Sequence, residues 1–325
     1  MFREDQYYPS RAKLTSTGKV LDFIYFGMDV FQGCVYCVGG NVLSVLDLEG
    51  QLLKRREIGF LSDAHDLHVV DGLIYCTNTG YDRVEVFSLN LDHHRTMSLK
   101  ELACFHKKRF LPRTEGQRTD SLHANFLSSR HPGKVFVTHF FACERRRMRA
   151  IWLSLRYLAG SIGLGWQPFR HKGFVLDLFS GKILHSGGVI TLDGDRVIGP
   201  LYGPHDGVFY RKEFYIHSTH NIETLIYDEN FRLIQSIPYH VGIFLRGLHP
   251  IDRRTFLVGA SLINPKRTAA FMYKLILRGR KHSCFEDASS IKIVDRKTQT
   301  IVQSVYFETF QGIHPEIYKI IPLEA

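Results

Sequence analysis

A degenerate unit of strand, tight turn and strand recurs along the chain, and this repetition limits the possible folds more than any other feature. Asp63–Asn90 reads DAHDLHVVDGLIYCTNTGYDRVEVFSLN, in which Asp71-Gly72 and Gly80-Tyr81-Asp82 separate three apolar strands. Gly203–Asp228 repeats this order and also closes with a strand ending in Asp. Four-stranded units repeated around a ring are typical of β-propellers, which leave few sheet edges exposed. We therefore predict an all-β chain that folds as a β-propeller.

The number of inner strands sets the expected number of blades. Six copies begin near Gly27, Asp63, Ser121, Gly203, Leu245 and Gly312. Six blades are the preferred prediction, with five as the alternative, because little chain follows Gly312. Strands from the N-terminal segment, around Lys13–Tyr25, would then pair with C-terminal strands to close the ring. We expect a single domain over residues 1–325, with a basic and apolar insertion at about 143–170.

The distribution of apolar residues disfavours the other main classes of chain. No stripe of helical spacing is sustained, and β-branched and aromatic residues dominate the apolar runs. Met1–Thr17 lacks the apolar core of a secretory signal, and no run reaches the ~18 to 20 apolar residues that span a bilayer. The six cysteines are scattered, and a strand would place Cys34 and Cys37 on opposite faces. We expect a reduced, cytoplasmic protein.

The chain is basic, with a formal net charge of +10 and a pI near 9.3. This charge favours an anionic partner, and the basic residues concentrate in His106–Arg113, Glu144–Arg149 and Lys266–Lys281. None of the usual nucleic-acid-binding motifs accompanies these clusters, so a nucleic-acid partner is not expected. The segment 143–170 joins basic to apolar residues, which suits a protein partner, a membrane surface or a lid.

Histidines stand at or near the start of five inner strands. They are His65, His123, His205, His249 and His314. Because the first residues of inner strands face the propeller axis, three or four imidazoles could share one Zn, Fe or Cu ion at about 2.0 to 2.2 Å. Asp66, Asp206 and Glu316 lie close enough in sequence to orient those imidazoles. A metal-dependent enzyme with a histidine-lined channel is one hypothesis.

Two other interpretations remain open. The histidines could instead bind the backbone of the neighbouring blade, a role that a repeat would copy from blade to blade. They could also act without metal, because Arg246 is a permanent cation that would hold a sulfate or phosphate group beside imidazoles able to transfer protons. A small polar or anionic molecule is the expected ligand in either functional case. A propeller that binds a ligand or a protein without catalysis is the remaining alternative.

Several runs resemble a family of conserved hypothetical β-propeller proteins that bear a domain of unknown function. The resemblance covers about 63–323 and rests on HDLHVVDGLIYCTNT, DSLHANFL, GFVLDLFSGKI, GPHDGVF, FLRGLHPIDRRTFLVGAS and IKIVDRKTQTIVQSVYFETFQGIHPEIYKI. The family's blade starts are of the types HD, CHLNG, PHSPR and YLRGL, followed by a final EIYDV. The resemblance implies the fold but no activity. DSLHANFL also resembles the His-x-Asn blade starts of arylsulfotransferase propellers.

This sequence departs from the family at three of these motifs. Ser121-Leu122 replaces the Cys before His123, Asp206-Gly207 replaces the Ser-Pro after His205, and Lys319 replaces the Asp of the final motif. The candidate catalytic residues are His65, His123, His205 and Arg246. The motif positions further indicate ligand contacts by Asp66, Asn78, Asn125, Asp206 and Glu316, although Asn78 and Thr79 also suit the ordering of a turn.

Overall fold

Five four-stranded antiparallel sheets form the computed structural model, which describes residues 27–105, 120–130, 133–140, 187–219, 221–239, 244–261, 289–307, 317 and 319–321. Blade 1 contains β1 (Gly27–Phe31), β2 (Cys34–Gly39), β3 (Val42–Asp47) and β4 (Leu52–Glu57). Blade 2 contains β5 (Leu67–Val70), β6 (Leu73–Asn78), β7 (Arg83–Ser88) and β8 (His93–Ser98). Blade 3 contains β9 (Ala124–Arg130), β10 (Lys134–His139), β11 (Gly187–Thr191) and β12 (Arg196–Leu201).

The last two described blades have the same strand order. Blade 4 contains β13 (Pro204–Tyr210), β14 (Glu213–Ser218), β15 (Glu223–Tyr227) and β16 (Leu233–Pro238). Blade 5 contains β17 (Phe244–Pro250), β18 (Thr255–Ser261), β19 (Ser289–Asp295) and β20 (Thr300–Phe307). The first strand of each blade is innermost, and β1, β5, β9, β13 and β17 contact one another in that order around a ring. The predicted β-propeller is confirmed.

Turn residues fix the hairpins where the sequence predicts them. Val70 pairs with Leu73 across Asp71-Gly72, and both turn residues have positive φ, as a type I′ hairpin requires. The third strands of blades 1, 4 and 5 close at Asp47, Asp228 and Asp295. Each of these carboxylates accepts backbone N–H groups from the following turn. The repeated Asp therefore orders the turn that leads to the outermost strand.

The core lies between the blades. Cys76 and Phe87 of blade 2 pack with blade 1, and further buried clusters join blades 2 and 3, blades 3 and 4, and blades 4 and 5. Since both faces of the middle strands are buried, these strands are nearly continuous apolar runs such as VYCV. The outermost strands are largely exposed, with β4 exposed along its whole length.

The preference for six blades was wrong, and the alternative of five is correct. The sixth predicted inner strand was the C-terminal GIHPEIYKII, of which Ile317 and Lys319–Ile321 belong to no strand. Ile317 instead bonds to Ser261 of blade 5, and Lys319 reaches Asp66 of blade 2. Within the described residues, each blade takes its four strands in order from one stretch of chain. Closure by N- and C-terminal strands stays a prediction, because residues 1–26 lie outside the described part.

The structure tests some of the remaining predictions about the chain, and others concern residues that it does not describe. Cys34 packs in the core between blades 1 and 2, whereas Cys37 packs on the opposite face of blade 1, which confirms the prediction for this pair. Among the residues described, no helix is long and apolar enough to cross a membrane. The insertion at 143–170 falls between β10 and β11, outside the described residues. Its protein, membrane or lid role therefore stays a prediction.

Candidate functional site

Three of the five predicted histidines come together at one end of the inner strands. His65 lies two residues before β5, His123 immediately precedes β9, and His205 is the second residue of β13. The rings of His65 and His123 meet edge to face, with centroids 4.9 Å apart. The ring of Phe140 lies against two of these imidazoles, with its centroid 5.7 Å from that of His123 and 5.8 Å from that of His205. Blades 2, 3 and 4 thus contribute one imidazole each to a single cluster.

Arg246 on β17 lies directly before Gly247, whose N–H binds Asp206 beside His205, so blade 5 brings a permanent positive charge close to this cluster. Burial lowers the pKa of His65, and the nearby charges of His123 and Arg246 lower it further against the opposing effect of Asp63. Burial together with Arg246, His123 and His65 holds the pKa of His205 well below its ordinary value. His65 and His205 are therefore neutral at pH 7, and each offers one ring N–H donor and one acceptor.

Asp120 orients His123. The Nδ1 atom of His123 lies 2.9 Å from Asp120 Oδ1, and a carboxylate oxygen can only accept, so Nδ1 carries a proton. Both residues have positive φ, 37° for Asp120 and 49° for His123, which is uncommon for residues other than glycine. Such strained backbone concentrates at functional sites. An imidazole held by a carboxylate in this way is suited to general base chemistry.

The loop that carries His123 is held from blade 2 by Asp82. The buried Asp82 carboxylate accepts the backbone N–H groups of Ser121 and Leu122 at 3.0 and 2.7 Å. Lys100 completes the arrangement with its Nζ 2.7 Å from Asp82 Oδ2. A buried carboxylate with three donors is well satisfied, so the position of His123 is fixed by the neighbouring blade.

A polar side chain just after each histidine ties its inner strand to the next. Asp66 Oδ2 accepts the N–H of Leu127 at 2.8 Å, and Asn125 Nδ2 donates to the carbonyl of Pro204 at 3.1 Å. Asp206 Oδ1 accepts the N–H of Gly247 at 3.2 Å. Three residues that the sequence offered as ligand contacts thus join neighbouring inner strands. These three residues make bonds between blades of the kind that sequence reasoning considered for the histidines.

Asp66 carries a cation on its other oxygen. Lys319 Nζ lies 2.8 Å from Asp66 Oδ1 and 3.1 Å from the carbonyl oxygen of Leu67. The ammonium group also sits over the ring of Phe126, 4.6 Å from its centroid. Burial raises the pKa of Asp66, and the charge and hydrogen bond of Lys319 oppose that rise. The pair is almost completely excluded from solvent.

Asp206 has a different environment at the equivalent place in blade 4. Burial raises its pKa to about 8, with the bond from Gly247 and the charges of Arg246 and Lys319 opposing the rise. Its Oδ2 lies 3.9 Å from His217 Nε2, and neither atom has a hydrogen-bond partner in the described part of the chain. Burial lowers the pKa of His217 to about 3. Asp206 and His217 are therefore a buried pair of neutral groups at pH 7.

The other predicted residues lie apart from the cluster or outside the described residues. Asn78 accepts the N–H of Ser62 and donates to Phe60 and Glu85, so its amide holds the loop between β4 and β5 against β7. His249 lies four residues beyond the register position of His205 in its own blade, roughly 13 Å along the strand. His314 and Glu316 fall in the segment that is not described.

The predicted metal site stays a prediction, because one of its proposed ligands lies outside the described residues. Within the described ranges, no three His, Cys, Asp or Glu side chains are arranged to hold a metal ion. Two of the five proposed ligands, His249 and His314, are respectively distant and outside those ranges.

Sequence reasoning missed four residues that shape the cluster. Asp120, Phe140, His217 and Lys319 contact the predicted residues from loops or second strands. Asp206 and Lys319 lie at two of the three places where the sequence departs from the motifs that it resembles. Buried acids and buried cations need compensation, so these departures were the available signal.

Comparison with known proteins supports the fold alone. No family model matches the chain, and no curated protein matches it. A solved nidogen/laminin complex is similar over 91% of this chain and 83% of the matched chain, with a TM-score of 0.52 and 10% identity. A protein of unknown function from Bacteroides caccae is similar over 90% of this chain and 87% of its own, with a TM-score of 0.50 and 8% identity. At such low identity the likeness extends to architecture only.

Proposed function

We propose that the chain binds a small oxyanion, such as a sulfate, phosphate or carboxylate group, at His65, His123, His205 and Arg246. The observation that carries the proposal is the grouping of three imidazoles from three blades around Phe140, with Arg246 directly before Gly247, whose N–H binds Asp206 beside His205. A guanidinium matches the paired oxygens of an oxyanion, and neutral imidazoles add donors without the cost of burying further cations.

His123 is the group that would exchange a proton with the bound molecule. Its Nδ1 donates to Asp120, so Nε2 is the ring nitrogen that would take a substrate proton whenever His123 is neutral. Arg246 would hold the anionic group while His123 acts, an arrangement that suits transfer of a sulfate or phosphate group or simple proton abstraction. Binding without turnover uses the same contacts, and a turnover assay separates the two.

Calorimetric titration of the full chain with inorganic sulfate at low salt tests the binding site. Wild-type protein is expected to bind, and Arg246→Gln to weaken binding at least 10-fold because it removes the charged fork. Arg254→Gln is the matched control, since Arg254 lies in the same blade but is exposed and pairs with Asp295. Absence of sulfate and phosphate binding by the wild-type protein would overturn the proposal, as would equal losses in the two variants.

Proton uptake on binding is the second test. An anion beside His65 and His205 stabilises their charged forms, so it raises pKa values that burial has lowered. Titrations at pH 6.5 in buffers of different ionisation enthalpy should therefore show net proton uptake, and sulfate affinity should increase as the pH falls from 8 to 6. His205→Gln should reduce the uptake. Affinity independent of pH would contradict the role given to these imidazoles.

Elemental analysis of protein expressed without a histidine tag separates this proposal from the metal hypothesis. One equivalent of iron, zinc or copper that is lost in His123→Ala combined with His205→Ala would assign the cluster to a metal. Metal-free protein that still binds sulfate would support the oxyanion site.

A further inference from the structure

The proposed oxyanion cluster takes residues from blades that are not neighbours. His65 belongs to blade 2 and Arg246 to blade 5, and the contacts between inner strands place blades 3 and 4 between this pair. Small changes in the packing of several blades would add up to a change in the distance between these two residues. A direct connection across the ring would remove this freedom.

The C-terminal residues Ile317 and Lys319–Ile321, here called the C-terminal segment, contact blade 5 beside Arg246. Ile317 donates its N–H to Ser261 Oγ at 2.8 Å, and this hydroxyl lies 3.3 Å from the Ile317 carbonyl oxygen. The side chains of Ile317 and Ile320 pack against Gly247, the residue after Arg246. A Cβ on Gly247 would lie 3.0 Å from Ile320 and 3.1 Å from Ile317, so glycine allows the close approach.

Lys319 connects the same segment to blades 2 and 3. Its ammonium group binds Asp66 Oδ1 and the Leu67 carbonyl, directly after His65 in the sequence. It also lies on the ring of Phe126, three residues after His123. The segment therefore touches the chain next to Arg246 at one end and next to His65 at the other.

Resting on the proposed function, we propose that Lys319 is a positioning residue, whose bond to Asp66 sets the separation of His65 and Arg246 across the ring. Asp66 and Lys319 carry opposite charges at 2.8 Å, so together they add little field at the cluster. The influence of Lys319 on the cluster is thus geometric, through the two backbone stretches that it joins. Oxyanion affinity depends on this bond being intact.

Two variants that remove opposite charges separate geometry from simple electrostatics. Sulfate affinity is measured by calorimetry for the full-length Lys319→Met and Asp66→Asn proteins, below the melting temperature of each. Loss of the positioning bond weakens sulfate binding in both variants, by about 10-fold or more. A purely electrostatic role would weaken binding in Lys319→Met but tighten it in Asp66→Asn, because the second variant leaves a positive charge behind. That opposite-sign result would overturn the inference.

A merely structural role gives a third pattern. In that case both variants melt at lower temperature while sulfate affinity stays unchanged, which would also overturn the inference. Lys292→Met is the matched control: Lys292 is a buried lysine in blade 5 whose Nζ lies 3.4 Å from Ser304 Oγ and over the ring of Tyr306. This variant should lose thermal stability without losing sulfate affinity.

The inference and the proposed function fail in different ways. If wild-type protein binds no sulfate or phosphate, the proposed function fails. If wild-type protein binds in an Arg246-dependent way but Asp66→Asn binds as tightly, only the positioning role fails. Should Lys319→Met not fold, Asp66→Asn decides alone, since weaker binding supports the positioning role and tighter or unchanged binding overturns it.

Discussion

Asp66 and Asp206 occupy equivalent places in blades 2 and 4, yet the protein neutralises them in different ways. Each follows a histidine, is fully buried and gives one carboxylate oxygen to a backbone N–H of the next inner strand. The second oxygen of Asp66 binds Lys319, whereas the second oxygen of Asp206 faces the neutral ring of His217. A buried carboxyl group needs either a counter-ion or a proton. Asp66 in blade 2 has the counter-ion, and Asp206 in blade 4 has the proton.

This difference between Asp66 and Asp206 affects how the two sides of the histidine cluster are held in place. Lys319 supplies Asp66 with a cation from a distant part of the chain, so that blade is tied to the C-terminal segment. Asp206 has no such ion pair to a distant segment among the described residues, and a bound proton neutralises it instead. One side of the site is therefore fixed by an ion pair, and the other can respond to pH.

Removing the cation is expected to give the largest effect. Lys319→Met leaves the charge of Asp66 buried without its partner, which typically costs about 3 to 5 kcal/mol of the free energy of unfolding. Urea denaturation at pH 7 measures this loss. Lys212→Met, at an exposed lysine in blade 4, is the control and should show no measurable change. A loss below about 1 kcal/mol would mean that Asp66 takes up a proton once Lys319 is gone, as Asp206 does.

Asp206→Asn tests the other buried aspartate. Where Lys319→Met lowers the free energy of unfolding, Asp206→Asn should raise it relative to wild type as the pH rises. Because the folded pKa of about 8 lies above the unfolded value near 4, the folded state holds a proton that the unfolded state has lost. The contribution of Asp206 to stability is complete below pH 4 and is lost as the pH rises to 8, by at most ~1.4 kcal/mol per pH unit.

Asparagine keeps the acceptor for Gly247 and does not titrate. Urea denaturation of both proteins at pH 5, 6, 7 and 8 should therefore show Asp206→Asn gaining stability relative to wild type as the pH rises, by a few kcal/mol over this range. Parallel pH profiles for the two proteins would show that Asp206 is already ionised at pH 5.

Much of this comparison was accessible from the sequence, since repetition predicts equivalence. The hairpin at Asp71-Gly72 and the turns after Asp47 and Asp228 follow from local chemistry, so the strand order of a blade could be predicted. Repeated blade starts also predicted that histidines would converge, and three of them do. Local rules and repetition are sufficient where one blade resembles the next.

The sequence could not predict contacts that occur once in the ring. Lys319 and Asp66 are 253 residues apart, and nothing local connects them. The alternation around Lys319 resembles an inner strand, which is why a sixth blade was expected. The neutral state of Asp206 depends on the surroundings of a buried oxygen, which only the packing of blades 4 and 5 determines. His249 lies apart from the cluster because four residues separate it from the position equivalent to His205.

Asp29 of blade 1 extends the comparison to a third carboxyl group and should give the smallest effect. Asp29 Oδ2 accepts the N–H of Val69 at 2.8 Å, as its counterparts do, and lies 2.6 Å from His68 Nδ1. Burial alone would raise its pKa. The hydrogen bond and charge of His68, with the charge of Lys319 and the bond from Val69, lower it overall. Asp29 thus represents a carboxylate with a shared and partly exposed partner.

Because the folded pKa of Asp29 lies below the unfolded value near 3.9, its stabilising contribution is complete above pH 5 and is lost as the pH falls through the folded value. Asp29→Asn should therefore cost about 1 kcal/mol at pH 7, with a smaller difference from wild type in urea denaturation at pH 3.5. A difference that instead grew towards low pH would place Asp29 with Asp206 as a carboxyl group that folds in its protonated form. The three carboxyl groups would then differ only in whether Lys319 binds them directly.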